Sequence, residues 1–260
     1  MKPFLYASLV LYALSLITVF AYNFTKNLKL EGVSKAILSI GLLTHTAALI
    51  QRIVSTGHAP MASMYETLVF YSWTTVLVSV IVIFRYKERV TEIITVPLSM
   101  LAIFFALANE KPGGPLTLIL KTHWFETHVT ASFAAYALFT LAFSAALLFL
   151  IQNFRGIDKD ELKKFQDIAG RSILWGFAFF SASMFAGAVW GYLAWGAYWM
   201  WEPKIIWSFI VWFYYAGAMH AFYVKEWRGT GLSIATVLGF FVVIFTYLGV
   251  SMLMKSSHSF

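Results

Sequence analysis

Residues 127–151 read THVTASFAAYALFTLAFSAALLFLI, a run without a single Asp, Glu, Lys or Arg. The hydrocarbon core of a bilayer requires roughly 20 predominantly apolar residues when it is crossed by an α-helix. This run exceeds that length and carries no charge. It therefore predicts a helix that spans a membrane.

The composition of the whole chain extends this prediction. Hydrophobic residues make up 60% of the 260 residues, and charged residues make up 12%. Ordinary soluble domains contain roughly 45–50% apolar and about 25% charged residues. So few charges could not cover so much apolar surface in water. The composition indicates an all-α polytopic membrane protein and excludes soluble enzymes, collagens and disordered chains.

Apolar runs of similar length recur along the chain, with no internal repeat and no second domain, so residues 1–260 are predicted to form a single membrane domain. The first run could be a signal peptide, since Lys2 precedes it. No clear cleavage site follows, which favours a retained helix. About eight spans are predicted, at residues 4–22, 34–54, 65–84, 92–108, 127–151, 172–192, 205–223 and 232–254.

The basic residues predict the orientation of these spans. One set of alternate loops holds 13 of the 19 Lys and Arg residues, and such loops are usually cytoplasmic. Both termini and the loop at 190–207 are then extracytoplasmic, and residues 152–171 form an amphipathic cytoplasmic linker helix. The formal charge of +7 could suggest nucleic acid binding, but its confinement to short loops favours ordinary loop charge.

The loop at residues 190–207 is rich in tryptophan, interleaved with Gly and Tyr. Its tryptophans are Trp190, Trp195, Trp199, Trp201 and Trp207, and the acid–proline–lysine run Glu202, Pro203 and Lys204 lies among them. An interfacial aromatic belt explains one to three aromatic residues at a helix end. The density here favours a platform for a large, flat, apolar ligand with a polar edge, with the belt as the alternative.

Two histidines flank this loop in the predicted outer layer, His128 at the start of span five and His258 beyond span eight. Two neutral imidazoles that face each other form a natural axial pair for haem iron. On spacing alone, two unrelated interfacial histidines explain the pattern as well as an axial pair does. His220 lies inside span seven, where an ionisable residue is a functional candidate by default.

The remaining histidines give weaker signals. His45, near the middle of span two, is more typical of a neutral histidine bonded between helices, while His58 and His123 are expected to be solvated. The chain has no cysteine. The absence of cysteine excludes disulfides, cysteine-ligated metals and thiol catalysis by this chain, so any thiol must come from a substrate or partner.

The Trp-rich loop, with His220 beyond it, resembles the "WWD" signature of the haem-handling proteins of cytochrome c maturation. Within that superfamily, the chain is similar over residues 40–260 to the CcsA (ResC) family of System II. Residues 57–66, GHAPMASMYE, resemble the family's G-x-x-P-x-x-x-x-Y-E turn. Trp124-x-x-x-His128-Val and the C-terminal His258-Ser-Phe resemble the segments that carry the family's two outer histidines. Glu202 stands where the family usually has Asp, and Ile205 stands where it often has an acid.

The resemblance implies a function and a set of roles. Together with a CcsB (ResB) partner, the chain would be part of a holocytochrome c synthase, a haem lyase in the inner membrane. It would export haem b and present the vinyl groups to the thiols of an apocytochrome c Cys-x-x-Cys-His motif. His128 and His258 would be axial ligands of an outer haem held by the Trp-rich loop. His220 would ligate a second haem within the membrane, and no catalytic acid or base is implied.

Two other functions remain open on the sequence. A haem exporter or presenter of the CcmC type would pass haem to a carrier without attaching it. A b-type electron carrier would use paired histidines and would not need the Trp-rich loop.

Overall fold

The computed structural model describes residues 1–86, 91–157 and 159–254. Within these residues it contains eight long helices and no strand. Short 3₁₀ turns, Leu118–Leu120 and Lys225–Trp227, precede the fifth and eighth helices. The helices are α1 Lys2–Thr25, α2 Leu28–Thr56, α3 Met64–Tyr86, α4 Glu92–Ala108, α5 His123–Phe154, α6 Lys159–Trp195, α7 Pro203–Tyr223 and α8 Thr230–Leu253.

Seven of these helices are long and apolar enough to cross a membrane. The chain is therefore an all-α, multi-pass membrane protein, as predicted. The helix at the fourth predicted span, α4, has 17 residues, which corresponds to about 25 Å at 1.5 Å per residue. The core of a typical bilayer is about 30 Å thick, so α4 is slightly short for a perpendicular crossing.

The predicted linker at 152–171 does not form a separate helix. The fifth helix continues to Phe154, and α6 already begins at Lys159. Among the described residues between them, Gly156 has a φ of +72°. The charged residues after Gly156 contain no Gly or Pro before Gly170, so they continue directly into the apolar part of α6.

The predicted loop at 190–207 is also shorter in the structure. The helix α6 runs to Trp195 and ends at Gly196, whose φ is +73° and whose N–H donates to Tyr192 O at 2.8 Å. Glycine adopts this left-handed conformation without a Cβ clash. Pro203 then occupies the first turn of α7, where its fixed φ and missing N–H are tolerated. Only residues 196–202 are non-helical.

By contacts, the chain divides into two compact units, Met1–Thr117 and Leu118–Phe260. The first contains α1–α4. In it, α1 and α2 approach closely where a Cβ on Gly41 would lie 2.8 Å from the ring of Tyr12. At one end, the buried Glu66 carboxylate accepts from Arg52 Nε at 2.7 Å and from Ala62 N at 2.8 Å. A buried carboxylate needs such partners to offset its desolvation.

The second unit contains α5–α8, with α5 and α6 packed along their lengths. Stacked aromatic pairs join the helices at the centre, with Phe139 and Tyr215 ring centroids 3.6 Å apart and those of Phe143 and Phe240 4.3 Å apart. Successive helices run in opposite directions. The start of α5, the end of α6, the start of α7 and the end of α8 therefore meet at one end of this unit. That the whole chain is one membrane domain stays a prediction.

Candidate functional site

A cavity of about 400 Å³ lies at this end of the second unit, between α5, α6, α7 and the segment 196–202. Small-molecule sites typically have volumes of about 300–1,000 Å³ and apolar walls with a few polar groups. This cavity follows that pattern. Its aromatic lining comprises Tyr136, Phe180, Phe185, Trp190, Trp195, Tyr198, Trp199 and Phe209. Its polar lining comprises His128, Ser132, Ser183, Lys204 and Ser208.

The imidazole of His128 is fixed in one tautomer. Its Nδ1 lies 2.8 Å from the backbone oxygen of Ser183, and a carbonyl oxygen only accepts hydrogen bonds. Nδ1 therefore carries the proton, and the lone pair of the neutral ring lies on Nε2. Histidines that ligate metals commonly donate their second N–H to a backbone carbonyl, which sets both the tautomer and the ring orientation.

Two serine hydroxyls add further hydrogen bonds to the same histidine. Ser132 and Ser183 are buried, with their Oγ atoms 2.6 Å apart. Both lie within 3.0 Å of the backbone oxygen of His128, and Ser183 Oγ also lies 3.1 Å from Nδ1. This small polar network joins α5 to α6 inside an apolar wall, where each unmade bond would be costly.

Gly187 leaves room for the imidazole. A Cβ at this position would lie 2.6 Å from His128 Nδ1 and 2.9 Å from Cε1, well inside van der Waals contact. The α6 backbone therefore approaches the ring more closely than any residue with a side chain permits.

Trp190 forms the wall behind the histidine. It is buried, and its ring stacks near that of His128 with centroids 6.2 Å apart and planes 18° apart. Its Nε1–H donates to Ile119 O at 2.9 Å, which satisfies the one polar atom of the indole. Trp195 meets it edge-on at 4.9 Å. The tryptophans at the end of α6 thus form a continuous aromatic surface with His128.

The segment 196–202 brings a third tryptophan to the cavity. Tyr198 stacks on Tyr192 of α6 at 4.4 Å with nearly parallel rings, which pins the segment over the helix end. Trp199 then packs edge-on against Phe209 of α7 at 4.6 Å. The segment therefore connects the aromatic surfaces of α6 and α7.

Four residues of the predicted platform do not line this cavity. Trp201 is 82% exposed and touches Trp199 edge-on. Glu202 is the N-cap residue of α7 and Pro203 begins that helix. Trp207 packs on Phe245 of α8 at 4.5 Å. Trp201 and Glu202 precede the helix, whereas the rotation of α7 after Pro203 directs Trp207 to another face of that helix.

Lys204 lines the cavity and also joins α7 to α8. Its Nζ donates to Tyr247 O at 3.1 Å and to Ser251 Oγ at 2.7 Å. The acceptor carbonyl belongs to a π-helical turn, Phe245–Gly249, in α8. Such turns interrupt the regular hydrogen-bond ladder and occur frequently at functional sites.

The other two predicted iron ligands are not at this cavity in the described part of the chain. His258 lies outside the described residues. His220 is exposed on α7, near the opposite end of that helix, and its Nδ1 donates to Ala216 O at 2.7 Å. As with His128, this bond leaves the lone pair on Nε2, and the ring faces outward from the unit.

The remaining histidines have local roles. His45 is buried in the first unit, where Nδ1 lies 3.1 Å from the hydroxyl of Tyr12, in agreement with a histidine bonded between helices. His58 contacts the backbone oxygens of Ala59 and Gly114, so it is tied to the loops rather than simply solvated. His123 is fully exposed and lies 3.5 Å from Glu126.

Reasoning from the sequence missed the inner lining of the cavity. Ser132 and Tyr136 follow His128 at intervals of four residues, and Gly187 and Gly191 follow Ser183 in the same way. Residues four apart share one face of a helix. This spacing of small and polar residues was the available signal. It could not show that the two faces meet.

Comparisons with known proteins agree on one family. A family model described as Cytochrome C assembly protein matches residues 61–258. The cytochrome c biogenesis protein CcsA of Trieres chinensis is 30% identical, with 97% of this chain and 94% of that protein covered. CcsA of Mesostigma viride is 32% identical, with 96% and 94% covered.

A solved structure shares the fold. The solved structure of "Cytochrome c Heme Lyase CcmF" superposes with a TM-score of 0.67 at 17% identity, covering 95% of this chain. The match covers 48% of that chain, so the present chain spans about half of its length. At this identity the likeness concerns the fold alone.

Proposed function

Because the chain belongs to the cytochrome c assembly protein family, we propose that it is the haem-handling membrane subunit of a cytochrome c synthase. The coarse role, cytochrome c biogenesis by a multi-pass membrane protein, follows from family and fold. In the finer role, the chain exports haem b across the inner membrane and holds it at the outer face. It presents the vinyl groups there, as part of a haem lyase complex with a CcsB-like subunit.

One observation carries this proposal: a histidine with a fixed tautomer stands in the wall of an aromatic cavity. The lone pair on His128 Nε2 is the donor that haem iron accepts from an axial histidine. The rings of Trp190, Trp195 and Trp199 suit the apolar macrocycle, and the absence of a side chain at Gly187 keeps the imidazole in place. These residues therefore fit haem by both shape and chemistry.

The second axial ligand is His258 in this proposal. The end of α8 lies at the same end of the second unit as His128, and His258 follows Leu253 by five positions in the sequence. Bis-histidine ligation would protect the iron in the ferrous state that attachment requires. His258 lies outside the described residues, so its part rests on the family resemblance.

His220 is proposed as a ligand of a second haem, within the membrane. Its ring is exposed although it belongs to a membrane-spanning helix, and ionisable groups in such helices are costly unless they face protein or a cofactor. An outward-facing imidazole with its lone pair on Nε2 suits an iron whose opposite ligand comes from the CcsB-like partner.

The chemistry requires little from this chain beyond positioning. Each thiol of the apocytochrome adds across a haem vinyl group, forming one C–S and one C–H bond, with no oxidant consumed. The chain contributes no thiol, since it has no cysteine. Its own residues orient the substrate and exclude water, which can contribute much of the rate enhancement in such a reaction. Trp201, which is 82% exposed and does not line the cavity, is available to contact the apocytochrome.

The test is a reduced-minus-oxidised absorption spectrum of the purified protein, co-expressed with an adjacent CcsB-like chain. His128→Ala and His258→Ala should each weaken a bis-histidine haem spectrum, with recovery on adding imidazole. His123→Ala is the matched control, because that exposed histidine lies five residues from His128 and outside the cavity. No haem in the wild type, with haem supply confirmed, would overturn the proposal.

The alternative is a CcmC-type presenter, which passes haem on without attaching it. It is favoured by the same cavity but predicts a different outcome in cells. If the chain is a synthase subunit, the chain and its partner should mature a reporter cytochrome c in a host lacking every other maturation protein. Haem loading without covalent attachment in that host would favour the presenter.

A further inference from the structure

Lys204 gives the aromatic cavity its charge. Among the described residues that line the cavity, it alone carries a full charge, and none is acidic. Lys204 has no ion pair with any described carboxylate, although it is half-buried between α7 and α8. Such a cation is unusual in a wall otherwise made of aromatic rings and serines.

The contacts of Lys204 satisfy its hydrogen bonds only in part. Two of the three ammonium protons go to Tyr247 O and Ser251 Oγ, and the described residues offer no acceptor for the third. The nitrogen also lies 5.6 Å from the centroid of the Tyr247 ring. All of these partners are neutral, so no described residue supplies a counter-charge for the ammonium.

A purely structural link between α7 and α8 would not need this charge. Neutral acceptors require only donors, and a neutral amide would supply them. Removing an ammonium from water is costly unless a negative group compensates it. A cation retained in a cavity wall therefore suggests that the occupant brings the negative group.

We propose that Lys204 is the carboxylate-binding group of the cavity and pairs with a propionate of haem. This inference rests on the proposed function and adds an orientation to it. The propionates and vinyl groups of haem occupy opposite edges of the macrocycle. A propionate fixed at Lys204 therefore turns the vinyl-bearing part of the macrocycle away from the α7–α8 wall.

The experiment compares ferrous haem with its dimethyl ester, in which methyl esters replace both propionate charges. The full-length protein is produced in cells that cannot make haem, purified in detergent and titrated with each ligand, following the absorption spectrum. The wild type should bind haem about tenfold or more tightly than the ester, as expected for a hydrogen bond to a charged group.

Substitutions separate the charge from the structural link. K204Q should bind both ligands about equally, while K204R should keep the preference because it keeps the charge. S251A is the matched control: it removes one tether of Lys204 and leaves the ammonium. It should keep the preference even if both affinities fall.

The outcomes are distinct. A wild type that binds the two ligands equally would overturn the role of Lys204, whether or not K204Q can be purified. So would a K204Q protein that loses affinity for both ligands and retains the preference, because that pattern belongs to a structural link. A wild type that binds neither ligand refutes the proposed function itself.

Discussion

Replacing Gly187 with alanine tests how the cavity fixes its histidine. The new Cβ would lie 2.6 Å from His128 Nδ1, whereas ordinary contacts of this kind lie at about 3.5–4.0 Å. The imidazole must retreat by close to 1 Å. It cannot do so and keep its 2.8 Å bond to Ser183 O, because Gly187 and Ser183 lie on the same face of α6.

The expected cost follows from these two effects. Overpacking by one methyl group in a tight site costs about 1–3 kcal/mol of stability, and loss of the neutral hydrogen bond costs about 1 kcal/mol. Disturbing a group that orients a metal ligand typically lowers metal affinity by about 10–100-fold. Gly187→Ala should therefore lower both the melting temperature in detergent and the affinity for haem, measured by spectral titration.

Two controls make the prediction specific. Gly32→Ala in α2 meets nothing within 4 Å, so it should be neutral or slightly stabilising, as alanine favours helices over glycine. The double variant Gly187→Ala/His128→Ala should bind haem no more weakly than His128→Ala alone, since the methyl acts only through the ring. Wild-type affinity in Gly187→Ala, or additive losses in the double variant, would refute the reasoning.

Three further outcomes are expected. Trp190→Phe should lower the free energy of unfolding by about 1–2 kcal/mol, measured by denaturant titration in detergent, because the indole loses its hydrogen bond and leaves a carbonyl unsatisfied; an unchanged stability would contradict it. Arg52→Met should lower the free energy of unfolding by about 3–5 kcal/mol, because it leaves the buried Glu66 carboxylate without its charged partner. In the same denaturant titration, Arg52→Met/Glu66→Gln should recover part of this lost stability. In the cysteine-free chain, Lys121→Cys should react with a membrane-impermeant maleimide in intact cells and Arg155→Cys only after permeabilisation; the reverse pattern would invert the predicted orientation.

The sequence was sufficient for the parts of the fold that depend on composition along the chain. Hydropathy is summed over consecutive residues, so the spans could be placed without knowing what packs against what. The exact ends of the helices could be predicted less well from the sequence. The predicted loop covered residues 190–207, whereas the non-helical segment in the structure covers only residues 196–202. The difference arises because α6 continues until its backbone is capped at Gly196, and α7 begins at Pro203.

The sequence also predicted only part of the candidate site. The tryptophans, His128 and Lys204 stood out by their residue type, and the structure brings Trp190, Trp195 and Trp199 together with both. Trp201, Glu202, Pro203 and Trp207 share that stretch of sequence but not the cavity. The first two precede α7, and helical rotation directs Trp207 to another face of that helix.

The sequence by itself thus determined the class of protein, the approximate spans and the residue types from which an aromatic site could be built. These properties are local, since each depends on the composition of one segment in a bilayer. Only the tertiary structure decided that Ser183 fixes the tautomer of His128, that Gly187 makes room for the ring and that Lys204 has no carboxylate partner among the described residues. Each of these facts depends on the distance between atoms on different helices, and such distances are set by packing between helices.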